Sequence, residues 1–180
     1  MARYSNRKIV RAFAASEVAR TTIQRGRILE DLMAYLFSRC PGVRHYRNNA
    51  FNSTGSSEID VCFWNSRYDR SIDFLPQIIV VECKNTRGRV GSSDIRIFRD
   101  KLRDMGLDHG ILIAANGITG DARSLRAAHD VIRTAFLTDR VRLIVLTRSE
   151  LEALRHTGGL VLLLQNKILM LTMRARTFEP

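Results

Sequence analysis

Two short stretches constrain this chain more than any others. Residues 58–61 read Glu-Ile-Asp-Val, and residues 80–84 read Val-Val-Glu-Cys-Lys. In a β-strand, alternate side chains share a face. Glu58 and Asp60 then point one way, and Ile59 and Val61 the other. Glu82 and Lys84 share a face, with Val81 and Cys83 opposite. If the two strands are neighbours, three carboxylates and one ammonium converge on one rim of a sheet. Like charges that close raise one another's pKa. A divalent cation relieves the repulsion, and Mg²⁺ is the usual choice for hard oxygen ligands.

The expected chemistry follows from residue type. Asp60 and Glu82 supply two carboxylates, and the backbone carbonyl of Cys83 a third oxygen. Lys84, beside the cation, can steer an attacking water and stabilise charge developing on a phosphate. Glu30, beside the apolar stripe of a preceding helix, can reach the sheet edge and orient a second metal or a water. Lys84 ends an Ile/Val run at 78–81, which puts it at the mouth of a central strand and favours a functional role over a surface ion pair.

Charge identifies the class of partner. The net charge is +11 and the pI about 10.5. Such an excess predicts affinity for a polyanion, nucleic acid first. Candidate phosphate contacts are Arg25 and Arg27 on the helix and Asn85, Arg87 and Arg89 in a basic loop over residues 85–91. Residues 1–27 carry seven basic side chains against one acid, Glu17. That composition mimics a transit peptide, but it runs unbroken into the helix that holds Glu30, which favours a basic helix lying beside DNA. Three cysteines, Cys40, Cys62 and Cys83, with no C-x-x-C pair, suit reduced thiols and a cytoplasmic protein. His45, His109, His129 and His156 show no zinc spacing. No apolar run is long enough to cross a bilayer.

Periodicity gives helices over about 6–20 and 24–39, stopped by Cys40-Pro41-Gly42. Strands follow at 43–49, 58–64 and 75–83, with a turn at 52–56 and a polar loop at 65–73. Ser92 or Ser93 caps a helix reaching Met105, with Gly106 past its end. A strand at 110–114 and a helix from Thr119 to Phe136 come next, then a strand at 141–146. Thr147-Arg148-Ser149-Glu150 is a capping box for a short helix. Residues 160–173 are apolar and read as a helix or a hairpin, with core packing or a homodimer contact as their role. The order helix–strand–strand–strand–helix–strand implies an α/β fold with a mixed central sheet flanked by helices, and 180 residues suit one domain.

At Glu30, Asp60 and Glu82-Cys83-Lys84 the chain resembles the PD-(D/E)XK nuclease superfamily, whose core has this α-β-β-β-α-β order. Its closer likeness is to the catalytic domain of Mrr-like restriction endonucleases. The motifs that carry it are Ile59-Asp60-Val61, Glu82-Cys83-Lys84-Asn85, Val90-Gly91, Gly110-Ile111-Leu112-Ile113 and Gly117-Ile118-Thr119. The resemblance covers about residues 25–155. It implies a restriction-endonuclease-like fold and Mg²⁺-dependent cleavage of DNA phosphodiesters, with Mn²⁺ able to substitute. Asp60, Glu82 and Lys84 would be the catalytic core and Glu30 an assistant. The turn before Asp60 departs from the pattern. Its Glu58 is similar to the Gly-Glu-Ile-Asp of small YraN-type proteins, and is an extra ligand or a solvated neighbour. Full-length Mrr-type enzymes also carry a DNA-recognition domain, for which 180 residues leave no room. Two alternatives stand beside a restriction or defence endonuclease acting as a homodimer: a Holliday-junction resolvase-like enzyme, and a nucleic-acid-binding subunit with a vestigial site.

Overall fold

Chain order and spatial order coincide in the sheet. The computed structural model describes residues 1–51, 58–120 and 128–174. Two helices, α1 (Asn6–Val18) and α2 (Thr22–Phe37), lead into β1 (Val43–Phe51), β2 (Glu58–Asn65) and β3 (Ile78–Lys84). Then come α3 (Ser92–Asp104), β4 (His109–Ala114), α4 (Ala128–Leu137) and β5 (Arg142–Leu146). A short α5 (Arg148–Glu152) and a long α6 (Thr157–Arg174) follow. The strands pair in the order β1-β2-β3-β4-β5. β1–β2 and β2–β3 are antiparallel, while β3–β4 and β4–β5 are parallel. This is the mixed, helix-flanked α/β sheet of the restriction-endonuclease-like type that the strand order implies.

The sheet separates two apolar layers. Val61, Phe63, Ile79, Val81 and Cys83 pack with Ile9 and Phe13 of α1, the Leu29–Phe37 stripe of α2, and Leu160 and Leu164 of α6. Val80, Leu112, Leu143 and Val145 pack with Ile95, Phe98 and Leu102 of α3 and with Ala128, Val131 and Ile132 of α4. Strands buried on both faces must be apolar on both, which is why β3, β4 and β5 read as continuous Ile/Val/Leu runs. Gly110 lets α3 lie close on β4. A Cβ there would come within 2.5 Å of Leu102 Cδ1 and 2.7 Å of Phe98 Cζ.

Local chemistry sets the boundaries. Ser5 and Thr21 cap α1 and α2 by accepting from Lys8 N and Gln24 N. At α5 the capping box forms as expected: Thr147 Oγ1 accepts from Glu150 N, and Glu150 Oε2 accepts from Thr147 N at 2.8 Å. At α3 the expectation of a serine cap is corrected. Gly91 occupies that position, and its N–H donates to Asp94 Oδ2 at 3.4 Å. The other end of α3 is a Schellman turn. Gly106 takes φ +67°, Gly106 N–H donates to Arg103 O, and Leu107 N–H to Leu102 O.

Other boundaries move. β1 reaches Phe51, and β3 starts at Ile78, because Leu75 is buried in the preceding turn. Residue 65, expected to open a polar loop, is fully buried and closes β2. Asn65 Nδ2 donates to Ile72 O, Leu75 O and Pro76 O, and its Oδ1 accepts from Arg67 N. One amide thus folds the whole connection between β2 and β3 onto the strand end. The segment 157–174 is a helix, not a hairpin. The turn at 52–56 and the stretch of the Thr119 helix at 121–127 lie outside the described residues.

Candidate active site

β2 and β3 stay paired from Trp64↔Ile78 to Val61↔Val81. The next pair in that register is Asp60 with Glu82. There Asp60 Oδ2 accepts a hydrogen bond from Cys83 N–H at 2.6 Å. Burial alternates along residues 58–61 as expected, with Ile59 and Val61 buried and Glu58 and Asp60 less so, but the two apolar side chains do not join the same layer. Ile59 packs in the α3-side layer and Val61 in the α2-side layer. Glu82 and Lys84 do share a face, with Lys84 Nζ 3.1 Å from Glu82 Oε1.

Glu82 is only 2% exposed. A buried carboxylate needs charged partners, and this one has two. Besides Lys84, Lys101 of α3 donates to Glu82 Oε1 at 3.0 Å and to Oε2 at 3.1 Å. Lys101 also donates to the Glu58 carbonyl at 2.7 Å, so its three N–H groups are all engaged. Lys101 is the site residue the sequence reading missed. α3 carries Arg96, Arg99, Lys101 and Arg103, which reads as a solvated basic face. A finer signal was present: Lys101 stands three residues after Phe98 and seven after Asp94, beside the apolar stripe.

The remaining carboxylates are strained by their setting. Burial pushes Asp60 up from 3.8 to about 6, helped by the Glu82 charge and opposed by the Cys83 N–H, Lys84 and Lys101. Glu30, 7% exposed on α2, is pushed from 4.5 to about 7, first by burial and then by Asp60, Asp31 and Glu58, with Arg27 opposing. Its Oε1 lies back along the helix towards Gly26, 3.4 Å from where a Cβ would stand. Burial pulls the Lys84 ammonium down, but Glu82 and Asp60 outweigh it and hold the pKa above its ordinary value. Burial, with Asp60, Glu30 and Glu82, holds the Cys83 thiol well above its ordinary value. The Cys83 sulfur therefore stays a protonated thiol near neutral pH.

Glu30, Asp60, Glu82 and Lys84 thus belong to one electrostatic cluster. The Glu58 side chain is exposed, and the contact it makes to the centre is through its carbonyl. Arg25, Asn85 and Arg87 line a common cleft. Arg27 and Arg89 are exposed. Among the described residues no three His, Cys, Asp or Glu side chains are already drawn together as an ion cage. The donor set still fits a hard divalent cation. Its oxygens are carboxylates and a carbonyl, and burial and mutual repulsion raise Asp60 and Glu30 in the way a cation would relieve.

A family model described as restriction endonuclease, of the Mrr catalytic-domain type, matches residues 24–147, more than two-thirds of the chain. No curated protein matches the chain. The matched span runs from α2, with Glu30, through β5, and so contains every acid and lysine of the cluster.

The raised pKa values make the fold pH-sensitive. With Glu30 and Asp60 raised, the folded chain keeps protons that the unfolded chain, at 4.5 and 3.8, has released. Their contribution to stability is full below those ordinary values and is lost as pH rises through about 6 and about 7. In chelator, the thermal midpoint should fall between about pH 5 and about pH 7.5. Glu30→Gln should flatten that fall. A slope identical in the variant would contradict a buried, charge-crowded Glu30.

Proposed function

This chain belongs to the Mrr-type restriction-endonuclease family, a nuclease family generally dependent on divalent metal, and from that premise we propose that it is a Mg²⁺-dependent DNA endonuclease of restriction or defence type. The observation that carries the proposal is the meeting of Asp60, Glu82 and Lys84 where β2 parts from β3, with Glu30 close enough to be perturbed by Asp60.

In this reading Asp60, Glu82 and the Cys83 carbonyl hold Mg²⁺, or Mn²⁺ in its place. The ion, when bound, supplies Lewis acidity towards the phosphodiester and eases deprotonation of water. Lys84 Nζ donates to a phosphate oxygen as charge grows there and orients the incoming water. Glu30, raised to about 7, is suited to accept a proton from that water near neutral pH. Lys101 pins the Glu82 side chain and ties the start of β2 to α3. Arg25, Arg27, Asn85, Arg87 and Arg89 hold the DNA backbone, in keeping with the charge of +11. We read residues 1–180 as one domain, since both apolar layers close on the same sheet. We place the chain in the cytoplasm, a reading supported by its free Cys40, Cys62 and Cys83; no helix among the described residues is long and apolar enough to cross a membrane.

One observation favours a second reading, a DNA-binding subunit without catalysis: both lysines already occupy Glu82. A plasmid assay with Mg²⁺ or Mn²⁺ separates the two. The endonuclease should nick or linearise circular DNA. Asp60→Asn and Lys84→Met should each slow cutting by about a hundredfold or more while DNA is still bound. Tight binding with no cutting by the wild type in either ion would establish the second reading.

A homodimer is part of the proposal. α6 exposes Leu162, Leu169 and Met173, with Asn166 on the same stripe. Intervals of four, three and four residues match the seam of a coiled coil, and one polar Asn on such a seam fixes register. Leu160, Leu164 and Leu171 are buried within the fold. Sedimentation equilibrium should show a dimer that Leu169→Glu converts to monomer. A wild type that stays monomeric over the accessible concentration range would refute the pairing.

A further inference from the structure

A cleft of about 250 Å³ opens just past Lys84, at the end of β3. Its walls come from the end of α1, the start of α2, the loop after β3 and the turn after β4. Lining side chains include Ser16, Arg25, Asn85, Arg87 and Asn116. Asn116 Nδ2 donates to Thr86 O at 2.6 Å, which ties two of the walls together.

The cleft has the character of an oxyanion site. Arg25 Nε donates to Ala19 O at 3.3 Å, which aims the guanidinium and leaves its two amino groups for other acceptors. Neither Arg25 nor Arg87 has a carboxylate partner among the described residues. The acid in the lining, Glu17, is already bonded to Arg148. Asn85 Nδ2 is closed off from solvent and has no hydrogen-bond partner among the described residues. Buried amide donors without an acceptor are costly and rare, and because Asn85 is half-buried and lines the cleft, a turn of its side chain towards an oxygen arriving there would satisfy this one. Two uncompensated guanidinium groups and an amide donor match a doubly charged, oxygen-rich group.

We propose that this cleft receives a terminal phosphate, the phosphomonoester at a DNA strand end. An internal phosphodiester carries one charge. A phosphomonoester carries nearly two at neutral pH, because its second pKa is about 6. Asn85 directly follows Lys84, so a strand anchored by its end in the cleft lays its neighbouring linkages across Lys84, Asp60 and Glu82. The proposal rests on the nuclease reading and deepens it: circular DNA is cut without this anchor, whereas linear DNA with an accessible phosphorylated end is preferred and is cut a fixed short distance from that end.

The test measures binding alone, in chelator, by fluorescence anisotropy. Matched duplexes carry a 5′-phosphate, a 3′-phosphate or hydroxyls only. One phosphorylated terminus should bind about tenfold more tightly than the hydroxyl duplex near pH 7.5. The arm that does so identifies the terminus. The preference should shrink towards about pH 5.5, as the phosphate regains its second proton. The readout is the ratio of affinities, which a general loss of positive charge leaves in place. Asn85→Leu, which changes no charge, should bring that ratio close to one, and so should Arg25→Gln combined with Arg87→Gln. Circular dichroism melting checks that each variant is folded. A wild-type ratio near one overturns the proposal, and so does a ratio that survives in folded Asn85→Leu. Failure of the nuclease reading looks different: the ratio is high, yet no DNA is cut in Mg²⁺ or Mn²⁺.

Discussion

A carboxylate that is almost wholly buried, clasped by two ammonium groups from different elements, is the interaction on which this molecule's site depends. Glu82 stands on the central strand β3, Lys84 two residues along it, and Lys101 on the helix that crosses from β3 to β4. Removing one lysine leaves Glu82 a single charged partner, and removing both leaves it unpaired in a low-dielectric interior, where that is costly. The clasp also joins three parts of the fold. Through the Glu58 carbonyl, Lys101 anchors the start of β2 to α3, and Asp60 anchors the same strand to the Cys83 N–H. The gap between β2 and β3 is thus held open by specific bonds.

Charge balance explains why the rest of the cluster is poised. Two ammonium groups face three carboxylates, and Glu82 takes both. For Asp60, burial and the Glu82 charge outweigh the Cys83 N–H, Lys84 and Lys101; for Glu30, burial and the neighbouring acids outweigh Arg27; both are raised into the range where proton exchange near neutrality is easy. A hard cation entering beside them meets oxygen donors that gain by ionising. The lysines limit how much positive charge the site tolerates, so cation affinity and the hold of Lys101 on Glu82 are coupled.

Much of this architecture was legible in the sequence, for physical reasons. Continuous Ile/Val/Leu runs marked strands covered on both faces. The Thr147–Glu150 box and the Gly106 stop are local hydrogen-bond solutions that leave plain residue signatures. The pairing of Glu82 with Lys84 followed from the two-residue period of a strand, and the family match over 24–147 accords with the likeness those residues carry. What escaped was set by tertiary contact. Lys101 lies 19 residues from Glu82, and nothing local separates it from its basic neighbours on α3. Asn65 looks like a loop residue until its amide is seen bridging three carbonyls of a turn seven to eleven residues away. Ile59 packs in the α3-side layer, unlike Val61, at the point where the pairing of β2 with β3 has ended, which the apolar pattern alone does not show. For residues 160–173, periodicity could not separate helix from hairpin, since one side of the segment packs inward and the other presents apolar side chains outward.

The central claim is that the parting of β2 from β3 is built for a divalent cation shared by Asp60 and Glu82. The most direct measurement is a crystal of the protein soaked in Mn²⁺ and examined by anomalous scattering. The account predicts a peak within about 2.2 Å of a carboxylate oxygen of both residues and of the Cys83 carbonyl oxygen, with Lys101 drawn off at least one Glu82 oxygen. A map with no peak there, and Glu82 still held by both lysines, would contradict it.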